Sequence, residues 1–349
     1  MAEPIISFKD FTFQYRAQKR PTLYDINLDI YPGERVLIVG PSGSGKSTLA
    51  SCINGLIPHS YAGEHQGTLI VDGVDAPNSG IFELSQHVGT VLQDPDGQFV
   101  GLTVGEDIAF SLENNCVPQQ EMIDLTNQVA GMVGVQDHLE YAPHELSGGQ
   151  KQRVSLAGVM VNQVKILLFD EPLANLDPST GKQAIELIDE IQKKSDTTVL
   201  IIEHRLEDVL WRSVDRIVLV NQGRIQADLR PDELLCGNQL TEHGIREPLY
   251  VTALRYAGVD LTPKKKPAHV DTLVLDDADQ ALVRSWYHNV PAPEEKEQQP
   301  ILLEVKELSF GYTKEQHTLE NVSFTIRKGE MISIVGRNGA GKSTLSKLI

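Results

Sequence analysis

The sequence predicts an α/β fold. Three observations carry this reading. Residues 1–235 alternate strand-like and helix-like patterns, as a parallel sheet covered by helices requires. The apolar run "RVLIV" leads into the glycine-rich "GPSGSGKST" of 40–48 and then into a helical pattern. A second apolar run, "KILLFDE" at 165–171, ends in two carboxylates. Open parallel sheets bind their ligands beyond the carboxyl ends of the strands, which is where both motifs stand.

Bulk properties narrow the function. A chain of 349 residues has room for two domains. A net charge of −17 argues against a general nucleic-acid binder, because that role needs a basic face to neutralise phosphates. A local basic pocket for a small phosphate ligand stays compatible with it. Cys52, Cys116 and Cys236 are scattered and lack CxxC spacing, so neither a disulfide framework nor a zinc site is expected, and a reducing cytosol suits them. The start "MAEPIISFKD" has no basic stretch followed by an apolar one, so no secretory signal is expected. Apolar runs such as "VKILLF" and "TTVLII" are strand-length, too short to span a bilayer. Work at a membrane would need other subunits to do the spanning.

The chain also repeats itself. Residues 10–53 recur at 307–349, and both copies read as an antiparallel strand pair, a turn, a buried strand, a glycine loop and a helix start. Between them, 236–262 reads as a small helical extension. The stretch 263–300, with "TPKKKPAHV" and "VPAPEEKEQQP", reads as a linker. Residues 301–349 then begin the second copy, with too few residues to bury the core expected of the first.

The chemistry follows from the motifs. Gly40, Pro41, Ser42, Gly43, Ser44 and Gly45 form a turn whose backbone N–H groups, with the helix N-terminus at Lys46, Ser47 and Thr48, cradle phosphates. Lys46 adds positive charge at the terminal phosphates, and the Ser47 hydroxyl is placed to ligate Mg²⁺. Asp170, at a strand end, would hold Mg²⁺ through water, and Glu171 would polarise the attacking water. "LSGGQ" at 146–150 is a second anion-binding helix N-terminus, built on Ser147, Gly148, Gly149 and Gln150. A domain needs only one cradle for its own triphosphate, so the second implies a nucleotide held by another domain.

"GPSGSGKST", "LSGGQ", "ILLFDE" and "LANLD" (173–177) stand in the order and spacing of ABC-type ATPases, and the resemblance covers nearly the whole chain. It implies a P-loop NTPase fold: a RecA-like α/β core, an antiparallel β subdomain and an α-helical signature subdomain, followed by a truncated second copy. It also implies a head-to-tail dimer with ATP between one domain's phosphate loop and the other's LSGGQ. Within that resemblance Gln93 matches the glutamine that senses Mg²⁺ and faces a transmembrane partner. His204 matches the switch histidine at the γ-phosphate. Tyr15 would stack on adenine, and Asp177 would couple the two sites of the dimer. In the second copy Tyr312 takes the role of Tyr15. Its phosphate loop is Gly336, Arg337, Asn338, Gly339, Ala340, Gly341, Lys342, Ser343 and Thr344, with Ser343 as the second Mg²⁺ hydroxyl. This copy lacks an LSGGQ, an Asp-Glu strand and a switch histidine of its own, so the chain is not expected to form a native composite site by itself.

"QDPDGQFVGLTVGEDIAF" (93–110) resembles the short helix of energy-coupling-factor ATPases, fused tandem forms included. That resemblance implies an importer of a vitamin, a vitamin precursor or a metal ion. Its partners would be a transmembrane T component, gripped through 93–110, and a substrate-binding membrane subunit, with the ATPase at the cytoplasmic face. A second ABC domain, in cis or in another chain, would complete the site. Two alternatives share the motifs: a soluble tandem ABC protein of the ribosome-associated translation-factor type, and a tandem sugar-import ATPase.

Overall fold

The computed structural model describes residues 3–94, 97–174, 176–291, 299–312, 317–337 and 339–349. Its centre is a six-stranded sheet in the order β10-β9-β3-β8-β7-β6. The strands are β3 (Arg35–Val39), β6 (Val88–Val91), β7 (Ile166–Asp170), β8 (Thr198–Ile202), β9 (Arg216–Asn221) and β10 (Arg224–Leu229). All neighbours run parallel except β10 with β9. Every residue of β3 and β8 is buried, as expected of strands covered on both faces.

Successive side chains point to opposite faces of a strand, and the apolar runs divide accordingly into two cores. Leu37, Val39, Leu167, Phe169, Val199 and Ile201 face one way. There they meet the helices Val104–Asn114, Gln119–Val133 and Gly148–Met160 through Val104, Ile108, Leu112, Val129, Val133 and Val154. Val36, Ile38, Ile166, Leu168, Leu200 and Ile202 face the other way. On that side lie the helix Lys46–Ile53 and a second, antiparallel sheet in the order β2-β1-β4-β5. Its strands are β1 (Ile6–Tyr15), β2 (Leu23–Ile30), β4 (Gly63–Val71) and β5 (Val74–Asp75). The α/β core, the antiparallel subdomain and the helical subdomain that the resemblance implied are therefore all present.

The sequence ladder within the core fixes where the strand ends fall. Asp170 pairs level with Ile202, Ile202 with Ile38, and Val91 with Phe169. The residues that follow each of these strands consequently emerge along one edge. Arg35 anchors the opposite end. Its guanidinium meets Asp189 of the helix Pro178–Ser195 at 2.8 Å, Gln192 and the Ser213 carbonyl. Arg35 and Asp189 are both buried, and Lys193 adds a 2.7 Å contact to the same carboxylate.

Two expectations need correction. The stretch 263–300, read as a linker, is folded onto the first copy through most of its length. Leu273, Leu275, Val283 and Trp286 pack against the first core cluster. The helix Asp277–Asn289 starts with a capping box between Asp276 and Asp279. Tyr250 donates a hydrogen bond to the Pro267 carbonyl at 2.6 Å, and Lys265 pairs with Asp279 at 2.8 Å. The prolines and charges that suggested a linker flank this apolar segment and serve it: Pro263 opens a short 3₁₀ turn and Lys265 finds a local counter-charge.

The second correction concerns the buried strand expected in the second copy. There β11 (Ile301–Phe310) and β12 (Leu319–Arg327) pair antiparallel as expected, and the helix Lys342–Leu348 follows the loop. Residues 331–335, equivalent to β3, form no strand. Met331 is 98% exposed and Val335 84%, whereas Val36 and Leu37 of β3 are fully buried. β3 is held by ladders from β8 and β9, and the described residues of the second copy supply no such neighbours. A lone apolar strand with open edges has nothing to pair with.

The Arg35–Asp189 pair generates a prediction. Asp189→Asn leaves a buried guanidinium short of its counter-charge, which should cost about 3 kcal/mol, read by chemical denaturation. Burial pushes the Asp189 carboxyl up, but hydrogen bonds from Lys193 and Arg35 and their charges outweigh it and hold it below its ordinary 3.8. A depressed folded pKa stabilises above the unfolded value and is lost as pH falls through the folded one. The gap between wild type and Asp189→Asn should therefore be constant above the aspartate range and shrink only below it.

Candidate functional site

The phosphate loop is shaped by its glycines. At Gly40 a Cβ would lie 2.1 Å from the Val220 carbonyl oxygen, so any side chain would drive the loop off β9. Gly45, at φ 108°, caps the helix Lys46–Ile53 in a left-handed conformation that a side chain would strain. The turn is closed by Ser44 N–H to the Pro41 carbonyl at 3.2 Å and by Gly223 N–H to the Ser44 carbonyl at 2.9 Å. Lys46 is buried and donates to the carbonyls of Gly40 and Pro41, each at 3.0 Å. Burial pulls its ammonium below the ordinary lysine value, against the carboxylates of Glu171, Asp170 and Glu203, which hold it up.

Asp170 ends β7 beside this loop. Burial raises its carboxyl, and the neighbouring Glu171 charge raises it further. A hydrogen bond with Ser47 and the charges of Lys46 and His204 act in the opposite direction. Its Oδ1 is buried without a hydrogen-bond partner. A hydroxyl and an orphaned carboxylate oxygen side by side are donors that suit a hard cation. Among the described residues no group of three or more His, Cys, Asp and Glu could hold a metal. These oxygens therefore fit a cation that takes its remaining ligands from phosphate and water, as Mg²⁺ does.

Glu171 is the meeting point of the site. It sits at φ 51°, an uncommon conformation for a side chain of its size, and its N–H bonds to the Ile202 carbonyl at 2.9 Å. His204 Nε2 donates to its Oε1 at 2.7 Å, and Gln93 Nε2 donates to its Oε2 at 3.1 Å. Residues from the ends of β6, β7 and β8, far apart in sequence, thus converge on one carboxylate.

One residue of this cluster escaped the sequence reading. Glu203 is only 2% exposed. Its carboxylate accepts the backbone N–H groups of His204 (2.8 Å), Arg205 (3.2 Å) and Leu173 (3.1 Å). It thereby ties the turn after Glu171 to the turn that carries His204. Arg205 completes the clamp by donating to the carbonyls of Leu173 and Leu176. A carboxylate directly behind the apolar run "TTVLII" was the available signal, since such a group must be satisfied internally.

The other expected residues fall in three places. The Tyr15 hydroxyl meets Thr48 Oγ1 at 3.0 Å, and its ring stands edge-to-face with Phe13 and Tyr61, beside the phosphate loop. The signature lies apart: Ser147, Gly148, Gly149 and Gln150 make no hydrogen bond with the phosphate loop or Glu171. Ser147 instead caps the helix Gly148–Met160 in a capping box with Gln150, whose amide also meets His138. That helix touches the far side of the Glu171 turn, where Gln152 donates to the Pro172 carbonyl at 2.7 Å. Asp177 caps the helix Pro178–Ser195 through Ser179 N–H and Thr180.

The second loop repeats the first. Lys342 donates to the carbonyls of Gly336 and Arg337, each at 2.8 Å, and Tyr312 meets Thr344 Oγ1 at 3.3 Å. Gly339 and Gly341 adopt positive φ, as Gly43 and Gly45 do. Ala340 and Ser343 complete the loop, and Asn338 lies outside the described residues.

Comparison with known proteins gives the family. The sequence model of the family "ABC transporter" matches residues 23–174 and 319–349, more than half of the chain. A second, described as "ATP-binding cassette cobalt transporter", matches 237–310. Proteins named as ABC transporter ATP-binding proteins are 55% identical in Clostridium perfringens and 56% in Enterococcus faecalis, over 99% and 100% of this chain. The chain spans 61% of the length of each of these curated relatives. Among solved structures, cbiO1 from Clostridium perfringens, described as part of the ABC transporter complex cbiONQ, aligns with 29% identity and a TM-score of 0.62. That match covers 72% of this chain and 99% of cbiO1. A dimeric ATP-binding cassette in a post-hydrolysis state with ADP and Pi aligns at 26% identity and TM-score 0.56, over 64% of this chain and 98% of that one. With four motifs, three subdomains and a matching family model in agreement, the chain belongs to the ABC transporter family, among its ATP-binding proteins.

Proposed function

We propose that the chain binds and hydrolyses ATP at its first phosphate loop and drives a membrane importer of the energy-coupling-factor type. The observation that carries the hydrolytic part is the Glu171 carboxylate, held between His204 and Gln93 at the sheet edge beside Lys46. An oriented carboxylate is what a water needs in order to attack a phosphoryl group in line.

The roles follow from the contacts. Residues 40–48 hold the phosphates by backbone N–H groups, and Lys46 is exchanged from two loop carbonyls onto phosphate oxygens. Ser47 and Asp170 would hold Mg²⁺, with Gln93 adjoining, and the ion would neutralise phosphate charge. Glu171 accepts hydrogen bonds from the water it orients, and His204 keeps the carboxylate in place while facing the terminal phosphate. The signature Ser147–Gln150 closes on a nucleotide held by a second ABC domain, with Asp177 and its turn at that interface. Ser343 and Lys342 serve the equivalent loop of the second copy. Closure shifts the coupled membrane subunits because ATP binds the closed state better than the open one.

The importer assignment rests on the segment 93–110 together with the descriptions of the matched cobalt-transporter model and of cbiO1. Pro95 and Asp96 lie outside the described residues. The rest of the segment exposes apolar side chains: Val100 at 61% and Leu102 at 82%, with Phe110 also exposed. Val100 and Gly101 are fixed by hydrogen bonds to Asp107, and Leu102 by one to Glu106. A rigid apolar ridge on the helical subdomain suits the coupling helices of a T component, with a separate membrane subunit binding the vitamin, vitamin precursor or metal ion. Among the described residues no helix is long and apolar enough to cross a membrane. The ATPase would therefore sit at the cytoplasmic face through these partners.

Two outcomes are expected. Glu171→Gln should keep ATP binding and lower turnover by at least about a hundredfold, measured at protein concentrations that allow two chains to meet. Unchanged turnover would remove Glu171 as the base. Leu102→Asp should leave nucleotide binding intact and release the chain from membrane fractions holding its partners. Retention on ribosomes instead of membranes would support the soluble alternative.

A further inference from the structure

The extension after the first copy reaches back to the nucleotide site. A cavity of about 280 Å³ has three walls: residues 40–42 of the phosphate loop, Glu203 and His204, and residues 244–246 of the extension. The last wall presents Arg246. Its neighbours in sequence are anchored inward, Ile245 in the core and Glu247 buried against Arg255 at 3.2 Å, which turns the intervening Arg246 outward. Among the described residues Arg246 is exposed and forms no hydrogen bond or ion pair.

The loop that carries it is held from both sides. Upstream, His243 Nδ1 meets Asn221 Nδ2 at 2.9 Å, at the end of β9. Downstream, Leu249 N–H donates to Glu207 at 3.0 Å, three residues after the switch histidine. Arg246 is therefore a long cation on a fixed base, at the mouth of the same cavity as His204. The charge balance gives it a task. Asp170, Glu171 and Glu203 all act on Lys46, so a terminal phosphate entering here meets three carboxylates against one buried ammonium and the Mg²⁺ that Ser47 and Asp170 would hold. A guanidinium matches phosphate oxygens in a two-pronged geometry that a single ammonium cannot supply.

We infer that Arg246 contacts the terminal phosphate of bound ATP, so that the extension at 236–262 distinguishes ATP from ADP. This rests on the proposal that the first loop is the nucleotide site, and it adds a ligand outside the motifs that define that site. Through Ile245 and the helix Leu249–Tyr256, whose Val251 and Leu254 lie in one core cluster with the first copy, the same contact would tie nucleotide state to the position of the appended segment.

The test compares a non-hydrolysable β,γ-imido analogue of ATP with ADP, each with Mg²⁺, by titration calorimetry on the full chain. Arg246→Ala should weaken the analogue about tenfold, the scale of a lost charge-assisted hydrogen bond, and leave ADP within about twofold. Arg246→Lys should recover part of the loss. Equal weakening of both nucleotides, or of neither, would overturn the assignment. Lys46→Ala separates the two claims, because undiminished binding in that variant would remove the first loop as the nucleotide site, whatever Arg246 does.

Discussion

The ladder of β3 with its two parallel neighbours is the constraint on which the rest depends. Ile38 pairs with Ile202 and Ile202 with Asp170, so the phosphate loop, the switch turn and the Asp-Glu turn leave the sheet at one level. A second loop shows which of these contacts are local. Residues 331–335 are nearly the same apolar strand followed by the same loop, and the loop keeps its local contacts: Lys342 to two carbonyls and Tyr312 to Thr344. Among the described residues no strand lies on either side of the segment, and it is exposed. Loop geometry is thus local, set by glycines and a helix start, whereas the edge that brings other residues to the loop is a product of the sheet.

At that edge the electrostatics are crowded. Asp170 keeps an unpartnered buried oxygen and a carboxyl raised by burial and by Glu171, while Lys46 is pulled down by burial. Desolvation disfavours the charged form of both groups, and a bound phosphate would offset that for Lys46 as a cation would for Asp170. Glu171 stays in an uncommon backbone conformation because its N–H is fixed by Ile202, its carboxylate by two side chains, and its following turn by Glu203. Strain of that kind persists only where surroundings over-determine it.

Much of this was legible in the residues. The phosphate loop, the two carboxylates and the signature are short motifs whose chemistry depends on neighbours in sequence, and Gln93 and His204 could be placed through the family resemblance. What stayed hidden depends on partners distant in the chain. Glu203 matches no motif, and its place in the site comes from the three backbone N–H groups it accepts. The helix Asp277–Asn289 was masked by prolines and charges on either side, although Val283 and Trp286 have helical spacing and dock on the core. The exposure of 331–335 agrees with the expectation that 301–349 has too few residues to bury that core, because an apolar run is buried only if something covers it.

The central claim is that the sheet edge, more than the loop alone, makes a nucleotide site. Counting bound nucleotide in the 349-residue chain tests it most directly, with photo-crosslinkable ATP and peptide mapping to separate the two loops. One ATP per chain, mapped to the first loop and untouched by Lys342→Ala, is the predicted result. Equal labelling of the two loops would contradict it.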